Sequence, residues 1–172
     1  VWKNNVPITL CEGAKKAGAL LTAGYAAISL PGVNGGYRNP KNEEGGSGKG
    51  FGSGFSSKGV KPFLIPDLEF FCTPGREFYI CFDRDSKPET VLRVRKAIYK
   101  TARLLVEGGC QVKIIDLPYG GEKGVDDFIA ARGKDAFYTL YNAAQPLSKW
   151  QVNLYTLLTH PPDVALNQRF IG

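Results

Sequence analysis

The chain alternates between short apolar runs typical of buried strands and longer segments with helical character, and this alternation restricts its fold more than any other feature. Gly and Pro mark most of the boundaries between these segments. The predicted strands cover residues 7–11, 26–30, 77–82 and 111–117, and the predicted helices cover residues 14–23, 66–72, 88–107, 125–131 and 134–144. This order predicts an α/β fold, Rossmann-like, with a mainly parallel central sheet of about four strands flanked by helices.

The length and composition fit one globular domain with a tail. The chain has 172 residues, of which 43% are hydrophobic and 22% are charged, as in ordinary folded domains. Residues 34–58 contain eight Gly and four Ser, which predicts a loop. We therefore expect a domain over residues 1–145 with a Gly-rich loop, followed by an extension or linker over 146–172. Because the sequence begins at Val1 and contains no Met, we expect a piece of a longer protein.

Neither a membrane segment nor a metal-binding cysteine set is visible. No run of 18 apolar residues occurs and no signal peptide pattern opens the chain, so no membrane partner is predicted. The four Cys are widely spaced and the single His lies far downstream, which does not fit a zinc site. Cys11 and Cys81 lie inside apolar runs and are predicted to be small buried hydrophobes. A reduced, cytoplasmic protein is the simplest interpretation.

Acidic residues collect at the ends of the predicted strands. Glu12 ends the first, Asp83 and Asp85 follow the third, and Asp126 and Asp127 follow the fourth after a loop. Ligands bind at the carboxyl ends of strands in an open parallel sheet. Carboxylates that meet there repel one another, and a divalent cation such as Mg²⁺ offsets that repulsion while keeping sites for substrate phosphates. Each acid alone is also compatible with a helix cap or a surface position.

The long helix predicted over residues 88–107 carries two distinct faces. Its apolar face consists of Val94, Ile98, Ala102 and Leu105, and its basic face consists of Arg93, Lys96, Lys100 and Arg103. The apolar face is expected to pack on the sheet. The basic face fits either a solvated surface or a contact with a nucleic-acid backbone, and the net charge of +6 is compatible with both.

Three motifs together resemble the Toprim domain of primases and topoisomerases. They are LCEGAKKA at residues 10–17, ICFDRD at 80–85 and KGVDDFI at 123–129. The motifs resemble the Toprim-like domain of plasmid and phage replication proteins more closely than they resemble primases and topoisomerases. Residues 157–170 are similar to the segment that follows this domain in replication proteins of cyanobacterial plasmids, where a helicase-like module lies further along the chain.

The resemblance implies Mg²⁺-dependent, or Mn²⁺-dependent, nucleotidyl transfer in primer synthesis on single-stranded DNA with nucleotides as substrates. Glu12 would be the general acid or base and also a metal ligand. Asp83 and Asp85 would be catalytic metal ligands, Asp126 would complete the metal shell, and Asp127 would be a helper or a helix cap. The residues expected to bind phosphate or nucleic acid are Lys15, Lys16, Arg84, Lys87, Arg93, Lys96, Lys100, Arg103 and Lys123.

Two departures from the family pattern keep other functions open. Primases tend to have acidic residues at the positions of Lys16 and Gly124. A Toprim-fold nuclease and a non-catalytic DNA-binding domain are therefore alternatives. A third is a phosphatase of the haloacid-dehalogenase type, in which Asp83 would be the nucleophile and Asp85 the acid. That family prefers Thr or Val at the position of Lys87, and it gives no role to Glu12.

Overall fold

The computed structural model describes residues 5–39 and 61–151. Strands and helices are numbered here in chain order. They are β1 (Ile8–Glu12), α1 (Ala14–Thr22), β2 (Ala27–Leu30), β3 (Tyr37–Arg38), β4 (Phe63–Leu64), α2 (Pro66–Glu69), β5 (Glu77–Ile80), α3 (Pro88–Glu107), β6 (Gln111–Ile114), α4 (Val125–Asn142) and β7 (Gln145–Pro146). A further helical stretch occupies residues 147–151 at the end of the described part.

The main sheet has the strand order β2-β1-β5-β6-β7. The first four strands pair in parallel, and β7 pairs antiparallel with β6 at the edge. Parallel neighbours need crossover connections, and α1 and α3 supply them between β1 and β2 and between β5 and β6. The predicted α/β fold with a mainly parallel sheet of four strands is confirmed, and the antiparallel edge strand is an addition to it.

A second, two-stranded sheet joins β3 to β4 in antiparallel pairing. Tyr37 and Arg38 lie inside the segment predicted to be a loop, so that prediction was wrong for these two residues. Tyr37 is buried, with its hydroxyl donating a hydrogen bond to Asn34 at 2.7 Å. The burial of this ring explains why Tyr37 and Arg38 form a strand in spite of the polar, Gly-rich sequence around them. Residues 40–60 lie outside the described ranges.

Two apolar clusters cover the two faces of the sheet. One contains the buried face of α3 and Leu68 of α2, and the other contains the buried residues of α1 and α4. On α3 the predicted residues Ile98, Ala102 and Leu105 are buried, whereas Val94 is half-buried. The sheet is therefore covered by α2 and α3 on one side and by α1 and α4 on the other.

Packing continues past residue 145, where the sequence predicts the domain to end. β7 pairs with Lys113 and Ile114, and Trp150 is 1% exposed within the α3 cluster. α4 is broken at Gly133, which has φ 81° and ψ 167°, as the sequence predicts for two helices. Within the described residues no helix is long and apolar enough to cross a membrane. His160 and the motif at residues 157–170 lie outside these ranges.

The cysteines are free thiols in apolar surroundings. Cys11 and Cys81 are buried, as predicted, and all four cysteines are unpaired with one another. Burial raises the pKa of the Cys11 thiol to about 11 and also raises that of Cys81. Both therefore stay protonated near neutrality and pack as small hydrophobes.

Candidate functional site

Glu12 ends β1 at the carboxyl edge of the sheet. The chain turns sharply into α1 at Gly13, whose φ of +80° is poorly tolerated by other residues, and the Gly13 N–H donates to the Leu30 carbonyl at 3.0 Å. The backbone of Val33 hydrogen-bonds to the half-buried Glu12 carboxylate. Burial, and next the charge of Asp83, raise the pKa of Glu12 above its ordinary value. Glu12 is thus a carboxylate with enhanced proton affinity.

Asp83 follows β5 and stands beside Glu12 on the neighbouring strand. Its Oδ2 accepts from Lys16 Nζ of α1 at 3.1 Å, while its Oδ1 is buried and has no hydrogen-bond partner. Burial raises the pKa of Asp83 although Lys16 acts to lower it. The sequence assigns Lys16 to phosphate, but in this structure its ammonium is bound to an acid of the site.

Asp126 lies in the first turn of α4, with a side chain that is 7% exposed. Its Oδ2 accepts from Lys15 Nζ at 3.0 Å, and its Oδ1 is buried without a partner. Burial acts to raise the pKa of Asp126, but the hydrogen bonds from Lys15 and from backbone N–H groups outweigh it and the pKa is lowered. Asp126 therefore stays ionised at the edge of the sheet.

The two unpartnered oxygens converge at Gly124. A Cβ built on this glycine would lie 2.5 Å from Asp126 Oδ1, 3.2 Å from Asp83 Oδ1 and 2.6 Å from Cε of Lys16. Gly124 has ordinary extended backbone, with φ −110°, so the missing side chain itself is what matters here. The absence of a Cβ leaves room for the two carboxylates to face the same small space.

Asp85 and Asp127 make different contacts. Asp85 Oδ1 accepts a hydrogen bond from the backbone N–H of Lys87 at 2.9 Å, immediately before α3 begins. This hydrogen bond lowers the pKa of Asp85. Asp127 has a side chain that is 56% exposed, and its Oδ1 is 3.7 Å from Lys15 Nζ. The structure therefore brings Glu12, Asp83 and Asp126 together, with Asp85 hydrogen-bonded to the Lys87 amide and Asp127 sharing Lys15 with Asp126.

The fit of this group to a divalent cation rests on two carboxylates. Across residues 5–39 and 61–151, no cluster of three or more Asp, Glu, His or Cys side chains is close enough to hold an ion. Asp83 and Asp126, however, each direct one buried, unpartnered oxygen toward Gly124. Mg²⁺ is commonly held by one or two carboxylates together with waters and substrate phosphates. The residues present fit that smaller ligand set, with Glu12 as a neighbour.

The predicted phosphate-binding residues divide into three groups. Lys15 and Lys16 are bound to acids of the site. Arg84 connects its own loop to the loop that contains Gly120 and Lys123. Its backbone N–H donates to the Lys123 carbonyl at 2.9 Å, and its guanidinium donates to the Gly120 carbonyl. The guanidinium carbon also lies 4.9 Å from the centroid of the Tyr119 ring. The others are exposed: Lys87 and Lys123 near the site, and Arg93, Lys96, Lys100 and Arg103 along α3.

Asp116 is a neighbour of the site that the sequence does not single out. It follows β6, and its Oδ2 accepts from Trp150 Nε1 at 2.9 Å. A cavity of about 350 Å³ lies between Asp116 and the segment at residues 82–85, with aliphatic residues of α3 on its floor. Asp116 escapes notice because the predicted strand runs to residue 117, whereas β6 ends at Ile114. The strand-end rule that selects Asp83 also selects Asp116 once that end is known.

Comparisons with known proteins agree with this architecture. The crystal structure of the Aquifex aeolicus primase zinc-binding and RNA polymerase domains matches with a TM-score of 0.51 and 19% identity, covering 92% of this chain and 30% of that chain. It supports a primase-like fold. An uncharacterized protein of Picosynechococcus sp. (strain PCC 7002) is 40% identical over 166 residues, which is 96% of this chain and 16% of that relative. The chain thus spans only a small part of that relative. Residues 1–136 match a family model, and the chain belongs to the family described as "Domain of unknown function (DUF3854)".

Proposed function

We propose that the domain performs Mg²⁺-dependent nucleotidyl transfer of the primase type, making primers on a single-stranded DNA template. The observation that carries the proposal is the meeting of Glu12, Asp83 and Asp126 at the carboxyl edge of the sheet, with two buried carboxylate oxygens left without partners. The primase-like fold and the three Toprim-type motifs support it. Mn²⁺ is a reasonable substitute for Mg²⁺ at such oxygen ligands.

Each group has a role in this chemistry that follows from its surroundings. Glu12, whose pKa is raised, accepts the proton of the attacking 3′-hydroxyl. Asp83 and Asp126 would hold the metal ion, and bound Mg²⁺ would supply neutralisation of phosphate charge. Lys15 and Lys16 hold the two aspartates in place, and because an ammonium has three donors, each would have N–H groups left for a phosphate oxygen of the nucleotide.

The biological setting remains a prediction from the resemblance. We propose that the domain serves replication of a plasmid or phage, within the cytoplasm. A helicase-like module in the same polypeptide stays a prediction, as do DNA and nucleotides as the binding partners.

The alternatives use the same acids for other chemistry. A nuclease would need the same metal and a water in place of the 3′-hydroxyl, and a binding-only domain would need neither. The phosphatase alternative requires Asp85 as an acid beside Asp83. In this structure the Asp85 carboxylate accepts a hydrogen bond from the Lys87 amide, and Glu12 has no role in that mechanism. Both points favour nucleotidyl transfer over the phosphatase reaction.

Template-dependent incorporation of ribonucleotides on single-stranded DNA tests the proposal. We expect the wild type to incorporate with Mg²⁺ or Mn²⁺, and Glu12→Gln to lose about 100-fold or more of the rate, because general-base catalysis contributes about that much. Glu69→Gln is the matched control, since Glu69 is exposed on α2, and it should retain the wild-type rate.

The other outcomes identify the alternatives. Metal-dependent cleavage of DNA without incorporation would indicate a nuclease. DNA binding with neither reaction would indicate a binding module. Hydrolysis of a small phosphomonoester that is lost in Asp83→Asn would favour the phosphatase. Equal incorporation by Glu12→Gln and the wild type would contradict the role given to Glu12.

A further inference from the structure

Three depressions lie end to end along the exposed face of α3. The first, about 400 Å³, separates the turn at residues 31–35 from Arg38 and Arg93. The second, about 440 Å³, shares Arg93 with the first and lies against Lys96 and Lys100. The third, about 580 Å³, shares Lys96 and Lys100 with the second. Since neighbours share lining residues, they form one furrow, which we call the α3 groove. Its cations are Arg38, Lys61, Arg93, Lys96, Lys100 and Arg103.

The α3 groove is strongly cationic, and most of its cations have no carboxylate partner among residues 5–39 and 61–151. Its six cations face only two lining acids, Glu89 and Glu107. Arg103 pairs with Glu107 at 2.8 Å, and Lys100 Nζ lies 5.4 Å from the Tyr37 ring centroid. The remaining four cations make no ion pair with any described residue. Such a row of exposed cations, without acidic partners in the described part of the chain, is suited to a polyanion.

The α3 groove also offers apolar surface between its charges. Its third part is lined by Pro62, Tyr99 and Leu104 as well as by the cations. A polyanion that carried only charge would leave this surface in contact with water. Single-stranded nucleic acid presents phosphates and the flat faces of its bases at once, whereas a duplex keeps its bases stacked inside.

One end of the groove lies at the acidic site. The first depression is lined by Val33, whose backbone hydrogen-bonds to Glu12. Arg93 stands close enough to Glu12 for its charge to oppose the rise in the pKa of that carboxyl. From Arg93 to Arg103 the helix advances about 15 Å, at about 1.5 Å per residue, so the groove leads away from the acids along the sheet.

We infer that the α3 groove binds single-stranded nucleic acid and leads it to Glu12. The direction of that path rests on the proposed function, but binding does not. The strand contacts α3 through its phosphates at Arg93, Lys96 and Lys100, and through its bases at Tyr99. Arg38, in β3 of the two-stranded sheet, and Lys61, just before β4, contribute from across the groove.

Fluorescence anisotropy with a labelled single-stranded oligonucleotide, in the absence of Mg²⁺, tests this inference. Lys96→Glu is compared with Lys134→Glu, because both lysines are exposed on helices but Lys134 lies on α4, across the sheet from α3. We expect Lys96→Glu to weaken binding by about tenfold and to reduce the slope of log affinity against log salt by about 0.7, the contribution of one single-strand phosphate contact. Lys134→Glu should bind as the wild type does, and a duplex of the same sequence should compete poorly.

The outcomes separate this inference from the proposed function. Equal binding by the two variants would overturn the inference, as would a duplex that competes as well as the single strand. If Lys96→Glu unfolds at the same temperature as the wild type, its weaker binding reflects the lost contact with the oligonucleotide and not a loss of folding. If wild-type protein binds in this way but incorporates no nucleotide, the inference stands and the proposed function fails. If the wild type incorporates nucleotides and Lys96→Glu binds the single strand normally, the proposed function stands and this inference fails.

Discussion

The cations of α1 and the cations of α3 differ in what they contact. Lys15 and Lys16 each bind a carboxylate of the site at 3.0–3.1 Å. Arg93 and Lys96, on the opposite face of the sheet, make no ion pair with residues 5–39 or 61–151. The α1 cations neutralise the protein's own acids and contribute to the geometry of the site, whereas Arg93 and Lys96 have no carboxylate within ion-pair distance in the described part of the chain. The net charge of +6 therefore combines two kinds of cation, which lie on two different helices.

The largest effect should come from removing the acid that Lys16 binds. Asp83→Asn removes a carboxylate whose free oxygen faces Gly124, and Asp85→Asn alters an acid bound to the Lys87 amide. We expect Asp83→Asn to reduce ribonucleotide incorporation by about 100-fold or more, the usual scale for losing one preorganised electrostatic group. Asp85→Asn should lose far less. Initial rates of incorporation measure both.

The two variants are controls for each other, because each replaces one carboxylate by an amide within the same three-residue segment. Circular dichroism and thermal unfolding establish that both fold. If Asp85→Asn proves as damaging as Asp83→Asn, both acids are ligands as the sequence suggests, and the division drawn from the structure is wrong.

Gly124→Ala should disturb the acids that the α1 lysines bind and leave the α3 groove unchanged. The new Cβ would lie 2.5 Å from Asp126 Oδ1 and 2.6 Å from Lys16 Cε, so these flexible ends must move. We expect Mn²⁺ affinity, measured by electron paramagnetic resonance, to fall by about tenfold or more. Binding of single-stranded DNA at the α3 groove, measured without metal, should stay at the wild-type level.

Gly18→Ala is the matched control, since a Cβ at this exposed position in α1 meets nothing within 4 Å. It should keep Mn²⁺ affinity and raise the free energy of unfolding by about 1 kcal/mol through helix propensity. Unchanged Mn²⁺ affinity in Gly124→Ala would mean that Asp83 and Asp126 do not share an ion.

The pH dependence of the unfolding temperature should show that the ionised form of Glu12 destabilises the fold. A carboxyl whose pKa is raised in the folded state contributes stability below its ordinary pKa of 4.5 and loses it as the pH rises through the folded value. At neutral pH the ionised Glu12 therefore costs stability, and Glu12→Gln should unfold at a higher temperature than the wild type. Below pH 4.5 the difference should disappear. Thermal unfolding across this range measures it, and a lower unfolding temperature for Glu12→Gln at neutral pH would contradict the assignment.

Much of the fold follows from the sequence because the main strands are local and strongly apolar. The runs around Leu10 and Ile80 are buried on both faces of the sheet and bounded by turn residues, so their positions are evident. β3, β4 and β7 consist of two residues each. Their pairing depends on partners far along the chain, and no local pattern reports such contacts.

The site is predictable only in part, for a related reason. Spacing places Glu12, Asp83 and Asp126 at one edge of the sheet, but it does not determine which way each side chain turns. The Lys87 amide captures Asp85, and the register of α1 directs Lys16 to Asp83. The groove beside Arg93 likewise requires the two-stranded sheet that supplies Arg38. These are tertiary contacts that appear only when the elements are assembled.

The smallest predicted effect tests the comparison most directly, by removing one cation of each kind. Lys16→Gln removes the partner of Asp83, and its side chain is only 20% exposed, so its loss leaves a carboxylate without compensation. We expect its unfolding temperature to fall by about 2–4 °C, which corresponds to about 1 kcal/mol in a chain of this size. Lys96→Gln removes a cation with no ion pair among the described residues. Its unfolding temperature should therefore equal that of the wild type. Equal unfolding temperatures for both variants would mean that the ion pair between Lys16 and Asp83 does not contribute to stability. The cations of α1 and α3 would then differ in their contacts but not in their energetic effect on the fold.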